Sequence, residues 1–291
     1  MNSEPQRIAE ILVVEDSDSD YDLLEMGYRR LSFKKNLHHV VDGQEALDFI
    51  QCKGDYPSDL ILLELNMPGI HGHEILEYLK SHDDFASIPV VVLSTSNYQQ
   101  DICRAYQNHA NGYMTKDFGF AIMKSLLTLS RFWFSSALLP TGAVMPPGEN
   151  TKSETELEGS RVGLQCLGLD AWSFQILEEA AAGLDYDLSI SKTESITDAC
   201  KRYKEPHPWK PLVTLVGIQD GLGADGDIVA KLRGMPEFQS APTLAYSDSP
   251  SEEVVATCYR QFANAVISQP SSVEDATQLL DSIVKWFSMV D

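Results

Sequence analysis

The stretch DLILLELNMPGIHG (Asp59–Gly72) decides the fold. Its run Leu60–Leu63 is continuously apolar, which is typical of a strand buried on both faces of a parallel sheet. The run leads into the carboxylate of Glu64, and the chain then turns at Pro68. Open α/β sheets bind their ligands at the carboxyl ends of the strands, so Glu64 is the first candidate site residue.

Strand-like runs alternate with helical periodicity on both sides of this stretch. The predicted strands cover 8–14, 37–41, 59–65, 88–93 and 113–115, and the predicted helices cover 21–31, 43–50, 74–80, 99–108 and 118–139. Strict alternation through five such units predicts a doubly wound, five-stranded parallel sheet of the α/β class.

Polar residues stand where the predicted strands end. These residues are Glu15, Asp16, Glu64, Ser94 and Lys116. Because the carboxyl ends of parallel strands share one edge of the sheet, we expect these side chains to meet in one pocket. Clustered carboxylates require a cation, and their oxygens suit magnesium. A lysine and a hydroxyl can hold phosphoryl oxygens, so the set predicts chemistry on a phosphorylated carboxylate.

This constellation resembles the receiver domain of bacterial two-component response regulators over about residues 8–139. The matching positions are the acidic pair Glu15-Asp16, the phospho-acceptor position Glu64 with its motif running to Gly72, the hydroxyl residue Ser94, the aromatic switch Tyr113 and the lysine Lys116. The ending with Phe132-Trp133 and Leu139-Pro140 is similar to single-domain regulators that serve cyanobacterial phytochromes. The resemblance implies a Mg²⁺ site made by Glu15, Asp16, Glu64 and Asn66. The alternative is an acidic pocket held by water and Lys116 alone.

Two residues depart from the receiver pattern. The acceptor position holds Glu64 in place of aspartate, and Asp117 follows Lys116 where receivers usually carry proline. The longer glutamate places its carboxylate roughly 1–1.5 Å further out, and a misplacement of about 1 Å can cost around a hundredfold in rate. Since phosphoryl transfer depends on positioning, we expect Glu64 to be a poor acceptor. It could instead bridge to Lys116 or Ser94 and hold an active-like state.

Three other interpretations of Glu64 stay open. It could accept phosphate from a sensor histidine kinase in the conventional Mg²⁺-dependent way. It could be a solvated pocket acid with no switching role. A glutamate introduced in place of aspartate as a mimic of phosphorylation would give the same pattern.

The second half repeats the first at an offset of 153 residues. Matching pairs include Ile75 with Ile228, Pro89 with Pro242, Ser94 with Ser247, Tyr106 with Tyr259, and Trp133-Phe134 with Trp286-Phe287. The offset predicts a receiver domain over 1–139, a Pro/Gly-rich linker over 140–160 and a second receiver-like domain over 161–291.

The site chemistry does not repeat. At this offset Glu15, Asp16, Glu64, Tyr113 and Lys116 become Gly168, Leu169, Gly217, Val266 and Gln269. We therefore interpret the second half as a degenerate pseudo-receiver without a metal site. A shifted acceptor at Asp170 or Asp220 is the alternative.

A competing interpretation treats the second half as a dinucleotide-binding domain. Gly221–Gly226 has the spacing Gly-x-Gly-x-x-Gly, and Asp248 follows about twenty residues on. However, the run follows the third predicted strand of its unit, whereas a dinucleotide fingerprint follows the first.

Composition restricts the partners. A formal net charge of −21 disfavours binding to nucleic acid, and no window is long and apolar enough for a bilayer. Five scattered cysteines and the lack of a signal peptide favour a cytoplasmic protein.

We expect a non-enzymatic signalling protein that contacts a sensor histidine kinase, such as a phytochrome, or another response regulator. Its fourth and fifth helices are the expected docking face, and Trp133 and Phe134 are candidates for a homodimer contact.

Overall fold

A computed structural model describes the chain over 8–29, 35–52, 58–116, 120–140, 161–185, 187–204, 212–218, 228–239, 241–248 and 250–288. It divides into two compact units, residues 1–150 and 151–291. The predicted linker from residue 141 onward and the Gly221–Gly226 run lie outside the described residues.

The first unit alternates strands and helices without exception. Its elements are β1 (Ala9–Val14), α1 (Asp18–Arg29), β2 (Lys35–Val40), α2 (Gly43–Cys52), β3 (Leu60–Leu63), α3 (Gly72–Ser81), β4 (Val90–Ser94), α4 (Gln99–Gln107), β5 (Gly112–Thr115) and α5 (Phe120–Arg131). Its sheet has the order β2-β1-β3-β4-β5, and all of its pairs are parallel.

The second unit has the same alternation. Its elements are β6 (Arg161–Leu167), α6 (Ala171–Ala182), β7 (Asp187–Thr193), α7 (Ile196–Lys204), β8 (Leu212–Gly217), α8 (Ile228–Arg233), β9 (Thr243–Ser247), α9 (Glu252–Arg260), β10 (Ala265–Ser268) and α10 (Val273–Phe287). Its all-parallel sheet has the order β7-β6-β8-β9-β10. The prediction of two doubly wound parallel sheets of the flavodoxin type is confirmed.

Burial explains why the central strands are almost entirely apolar. Every residue of β3 and β4 is buried, because helices cover both faces of a parallel sheet. The edge strand β2 has only one buried residue, Val40. Helix α3 turns Ile75, Leu76 and Leu79 into the core, as its spacing predicts.

The two units correspond at the predicted offset in fine detail. Adding 153 to α1, β4, α4 and β5 gives the bounds of α6, β9, α9 and β10. His109 and Phe262, which are 153 residues apart, both have positive φ angles, 65° and 68°. The same sequence spacing therefore carries the same backbone path in both units.

Two details of the first unit differ from the sequence prediction. The last helix was predicted over 118–139, but α5 ends at Arg131 and a π-helical turn, Phe132–Ser136, follows it. Ala137 N–H bonds to the Phe132 carbonyl, a five-residue step that helical periodicity does not reveal. Trp133 and Phe134 are buried, so their side chains are not exposed for the predicted homodimer contact, and homodimer formation itself stays a prediction.

No helix in the described ranges has both the length and the apolar content that a bilayer crossing requires.

Candidate functional site

Four buried polar side chains come together at the carboxyl edge of the first sheet. Glu15 follows β1, Glu64 follows β3, Ser94 ends β4 and Lys116 follows β5. Backbone hydrogen bonds from Glu64 N–H to the Val14 carbonyl (3.0 Å) and from Lys116 N–H to the Ser94 carbonyl (2.7 Å) fix these strand ends. The fold thus assembles residues that are up to 101 positions apart in sequence.

Lys116 is the centre of this cluster. Its Nζ lies 2.5 Å from Glu15 Oε2, 2.7 Å from Glu64 Oε2 and 3.1 Å from Asp20 Oδ2. An ammonium group has three donor hydrogens, so one lysine satisfies three carboxylates. The cluster is therefore held by an internal cation.

The second carboxylate oxygen of Glu64 is also fully engaged. Glu64 Oε1 accepts hydrogen bonds from Leu65 N–H at 2.8 Å, from Asn66 N–H at 2.9 Å and from Ser94 Oγ at 3.0 Å. Together with Lys116, four donors converge on one buried carboxylate. Charge-assisted hydrogen bonds of this kind fix a side chain more strongly than neutral ones.

Burial and ion pairing shift the pKa values of the charged groups in opposite directions. Burial by itself would lower the pKa of Lys116, but the adjacent Glu64 and Glu15 carboxylates raise it above its usual value. Burial raises the pKa of Glu15 in spite of its bond to Lys116, and the nearby charge of Glu64 raises it further. The lysine is therefore firmly charged, while Glu15 is the carboxylate that takes up a proton more readily than usual.

The structure does not bring every predicted residue into the cluster. Asp16 is exposed, and Asp20 from the first turn of α1 contacts Lys116 in its place. Successive residues of extended chain point to opposite sides, so Glu15 and Asp16 do not both face inward. Asn66 lies at the rim, where its Nδ2 is 3.3 Å from Ser94 Oγ.

These contacts bear on the predicted Mg²⁺ site. The described residues include no group of three or more His, Cys, Asp or Glu side chains placed to hold a metal ion. Glu15 and Glu64 both direct an oxygen to Lys116, and Asp16 is exposed. In this arrangement the lysine supplies the positive charge beside the two glutamates, and the Mg²⁺ site stays a prediction.

Tyr113 connects the cluster to the loop after β4. Its ring is buried, and its hydroxyl donates to the Ser96 carbonyl at 2.7 Å. Ser96 Oγ in turn donates to Asp101 in the first turn of α4, at 2.5 Å. Since Ser94 is bonded to Glu64, a continuous set of contacts runs from the strand ends to α4.

Sequence reasoning missed Asp20 and the two backbone donors that bind Glu64. Asp20 directly precedes the helix predicted over 21–31, and the sequence analysis assigns it no role in the site. A carboxylate in the first turn of a helix that follows the first strand was the available signal, because that turn also lies at the carboxyl edge. The backbone N–H contacts of Leu65 and Asn66 have no sequence signal.

The corresponding edge of the second unit has different residues. Gly168, Gly217 and Gln269 stand where Glu15, Glu64 and Lys116 stand in the first unit. Asp170, the alternative acceptor, is the N-cap of α6 and bonds to Ser173 through both carboxylate oxygens. Asp220 lies outside the described residues.

Comparison with known families agrees with this geometry. The model of the response regulator receiver domain matches residues 11–128. Response regulator Rcp1 of Synechocystis sp. is 35% identical over 143 residues, which is 47% of this chain and 96% of Rcp1. The probable methanogenesis regulatory protein FilR2 of Methanothrix harundinacea is 35% identical over 127 residues, 42% of this chain and 82% of FilR2. The chain belongs to the response regulator receiver family, whose members act in two-component signalling.

Two solved structures are similar to the chain. The Mn²⁺-bound form of Rcp1 is 35% identical with a TM-score of 0.43, and it covers 45% of this chain and 99% of its own. The phosphorylated cyanobacterial phytochrome response regulator RcpA is 34% identical with a TM-score of 0.44, and it covers 46% of this chain and 99% of its own.

Proposed function

We propose that the protein is a response regulator that acts by protein–protein contact, and that Glu64 holds its first receiver in an active-like state without phosphorylation. The observation that carries this proposal is the full engagement of the Glu64 carboxylate by Leu65 N–H, Asn66 N–H, Ser94 Oγ and Lys116 Nζ. These are the donors that an acyl phosphate on a shorter side chain would use at the same strand end.

The length of the glutamate supports this interpretation. One additional methylene moves the carboxylate about 1–1.5 Å toward the Ser94 and Lys116 side chains, into the place where phosphoryl oxygens would lie. Its single negative charge is opposite in sign to the Lys116 ammonium group and to the donor hydrogens around it. The bonds of Ser94 and Lys116 to Glu64 therefore resemble the bonds that phosphorylation would create.

The same contacts argue against Glu64 as a phosphate acceptor. Its Oε1 accepts three hydrogen bonds and its Oε2 is paired with Lys116, so neither oxygen is directed outward as a nucleophile. Attack on a phosphoryl donor would first require these bonds to break. An acceptor misplaced by about 1 Å would lose roughly a hundredfold in rate even after that.

The contacts of Tyr113 support an active-like state. The ring is buried, and its hydroxyl holds the Ser96 carbonyl two residues after Ser94. This keeps the loop after β4 close to the site, and the Ser96–Asp101 bond extends the effect to α4. The start of α4 carries Tyr98, which is 74% exposed and suits a protein contact.

We infer the partners from these features and from the relatives. A sensor histidine kinase of the phytochrome type, or another response regulator, would contact the face made by α4 and α5. The buried positions of Trp133 and Phe134 mean that this face would use exposed residues of α4 instead. The second unit would serve as a pseudo-receiver, because Gly217 cannot accept phosphate.

Phosphorylation in vitro tests the proposal directly. Incubation with acetyl phosphate and Mg²⁺, followed by intact-mass measurement, should add nothing to the wild-type chain and one phosphate to Glu64→Asp. Glu64→Gln is the negative control. A phosphate on the wild type that disappears in Glu64→Gln would establish the conventional acceptor and reject the proposal.

Hydrogen exchange tests the active-like state separately. Glu64→Gln removes the charge that binds Ser94 and Lys116, so the segment from β4 to α4 should exchange faster than in the wild type. Glu77→Gln, on the exposed side of α3, is the matched control and should leave that segment unchanged. Equal exchange in all three proteins would show that Glu64 does not restrain the loop.

A further inference from the structure

The carboxyl edge of the second sheet contains a cavity. It has a volume of about 150 Å³. Its lining residues come from the ends of β6, β8, β9 and β10, and they are Gly168, Leu169, Asp170, Gly217, Ile218, Tyr246, Ser247, Asp248 and Gln269. Cavities of about this size accept a molecule of roughly six non-hydrogen atoms.

The cavity is where the first unit has its charged cluster. Gly217 and Gln269 stand 153 residues after Glu64 and Lys116, so the long side chains that fill the first site are missing from the second. A larger residue does not fit at position 217, because its Cβ would lie 2.5 Å from the Gly168 carbonyl oxygen. The close approach of the two strand ends thus requires glycine and leaves the cavity open.

A buried hydroxyl in the lining has no hydrogen-bond partner among the described residues. Ser247 is 2% exposed, and its Oγ makes no hydrogen bond within the described part of the chain. Its counterpart Ser94 donates to Glu64. A buried hydroxyl without a partner costs about 1–3 kcal/mol, which a bound polar group would relieve.

The charge of the lining selects the ligand. Among the described lining residues, the charged side chains are Asp170 and Asp248, and both are acidic. Hydrogen bonds from the Ser173 hydroxyl and backbone hold the pKa of Asp170 below its ordinary value, so it stays ionised. Gln269 adds an amide oxygen, and Leu169 and Ile218 give the walls an apolar part.

We propose that this cavity binds a small organic cation, with an alkyl part against the apolar wall and an ammonium or guanidinium group donating to Ser247, Gln269 and the two aspartates. All of its lining residues belong to the second unit. It gives the second unit a ligand-sensing role in place of the phosphate chemistry that it lacks.

Calorimetric titration of the 291-residue chain tests this proposal. Methylguanidinium chloride is the probe, N-methylurea is the neutral probe of the same shape, and sodium chloride controls for ionic strength. Saturable, millimolar binding is expected for methylguanidinium alone. Equal binding of N-methylurea, or no saturable heat from methylguanidinium, would overturn the proposal.

Four variants locate the site. Asp248→Asn and Ser247→Ala should each weaken binding at least about fivefold, since each removes one hydrogen-bonding partner of the cation. Gln269→Lys supplies an internal ammonium and should abolish binding. Asp185→Asn, an exposed matched control in the turn before β7 at the opposite edge, should bind like the wild type. Circular dichroism checks that each variant is folded, and unchanged binding in both Asp248→Asn and Gln269→Lys would reject the site.

Discussion

The carboxyl edges of the two sheets have the same backbone path, but one holds a cluster of charged side chains and the other holds a cavity. In the first unit Glu15, Glu64 and Lys116 fill the edge with mutually paired charges. In the second unit Gly168, Gly217 and Gln269 leave a cavity at the same position. The fold therefore does not need the charged cluster, because the second unit forms its sheet without it. We propose that the charge at this edge serves signalling, and Lys116 balances the negative charge of Glu15 and Glu64 locally.

Removal of that lysine should have the largest effect. Lys116→Met leaves the buried Glu15 and Glu64 carboxylates without their cation, which should cost about 3–5 kcal/mol of the first unit's stability. Gln269→Met is the matched change in the second unit and should cost less than about 1 kcal/mol, since no buried charge among the described residues pairs with Gln269. Hydrogen exchange measured peptide by peptide assigns each loss to its unit. Equal losses in the two variants would mean that the cluster is not held by Lys116.

A second comparison concerns two buried basic side chains, Lys80 in the first unit and Arg233 in the second. Lys80 Nζ donates to the carbonyls of Ala86 and Ile88 and to Asn111 Oδ1 at 2.7–3.2 Å. Arg233, 153 residues later, donates through Nη1 to the carbonyls of Phe238 and Ala241. Burial lowers the pKa of Lys80 from 10.5 to about 7, whereas arginine stays charged at all accessible pH values.

This difference predicts a pH dependence in the first unit alone. Between about pH 7 and 10.5 the unfolded chain holds the Lys80 proton and the folded chain releases it, so stability rises with pH. The slope is at most about 1.4 kcal/mol per pH unit, and below about pH 7 this contribution is constant. Lys80→Arg should remove the rise, as measured by hydrogen exchange or denaturant unfolding at pH 7 and 9. A slope that survives in Lys80→Arg would assign it to another group.

The smallest predicted effect is the difference in stability change between Ser94→Ala and Ser247→Ala. Ser94→Ala removes a donor to Glu64 and should cost about 1–2 kcal/mol, because a bond to a charged partner is lost. Ser247→Ala removes a hydroxyl without a partner among the described residues, so the change should be near zero or slightly stabilising. Thermal unfolding of both variants gives the comparison. A larger loss for Ser247→Ala would show that its hydroxyl is bonded within the folded chain.

Much of this architecture could be predicted because it depends on local patterns. Apolar runs such as Leu60–Leu63 and helical spacing such as Ile75, Leu76 and Leu79 identify buried strands and helices directly. The order of strands and helices then places Glu15, Glu64, Ser94 and Lys116 at one edge. The repeat at 153 residues predicts the second sheet.

The sequence by itself thus determined the two sheets, the edge where charges gather and the loss of those charges in the second unit, because periodicity and spacing are local properties. Only the tertiary structure decided that Asp20 replaces Asp16 beside Lys116, that Glu64 is bonded through both oxygens, and that a cavity remains beside Ser247. These features depend on which way each side chain turns and on how closely strand ends approach, and both are set by contacts between residues far apart in the chain.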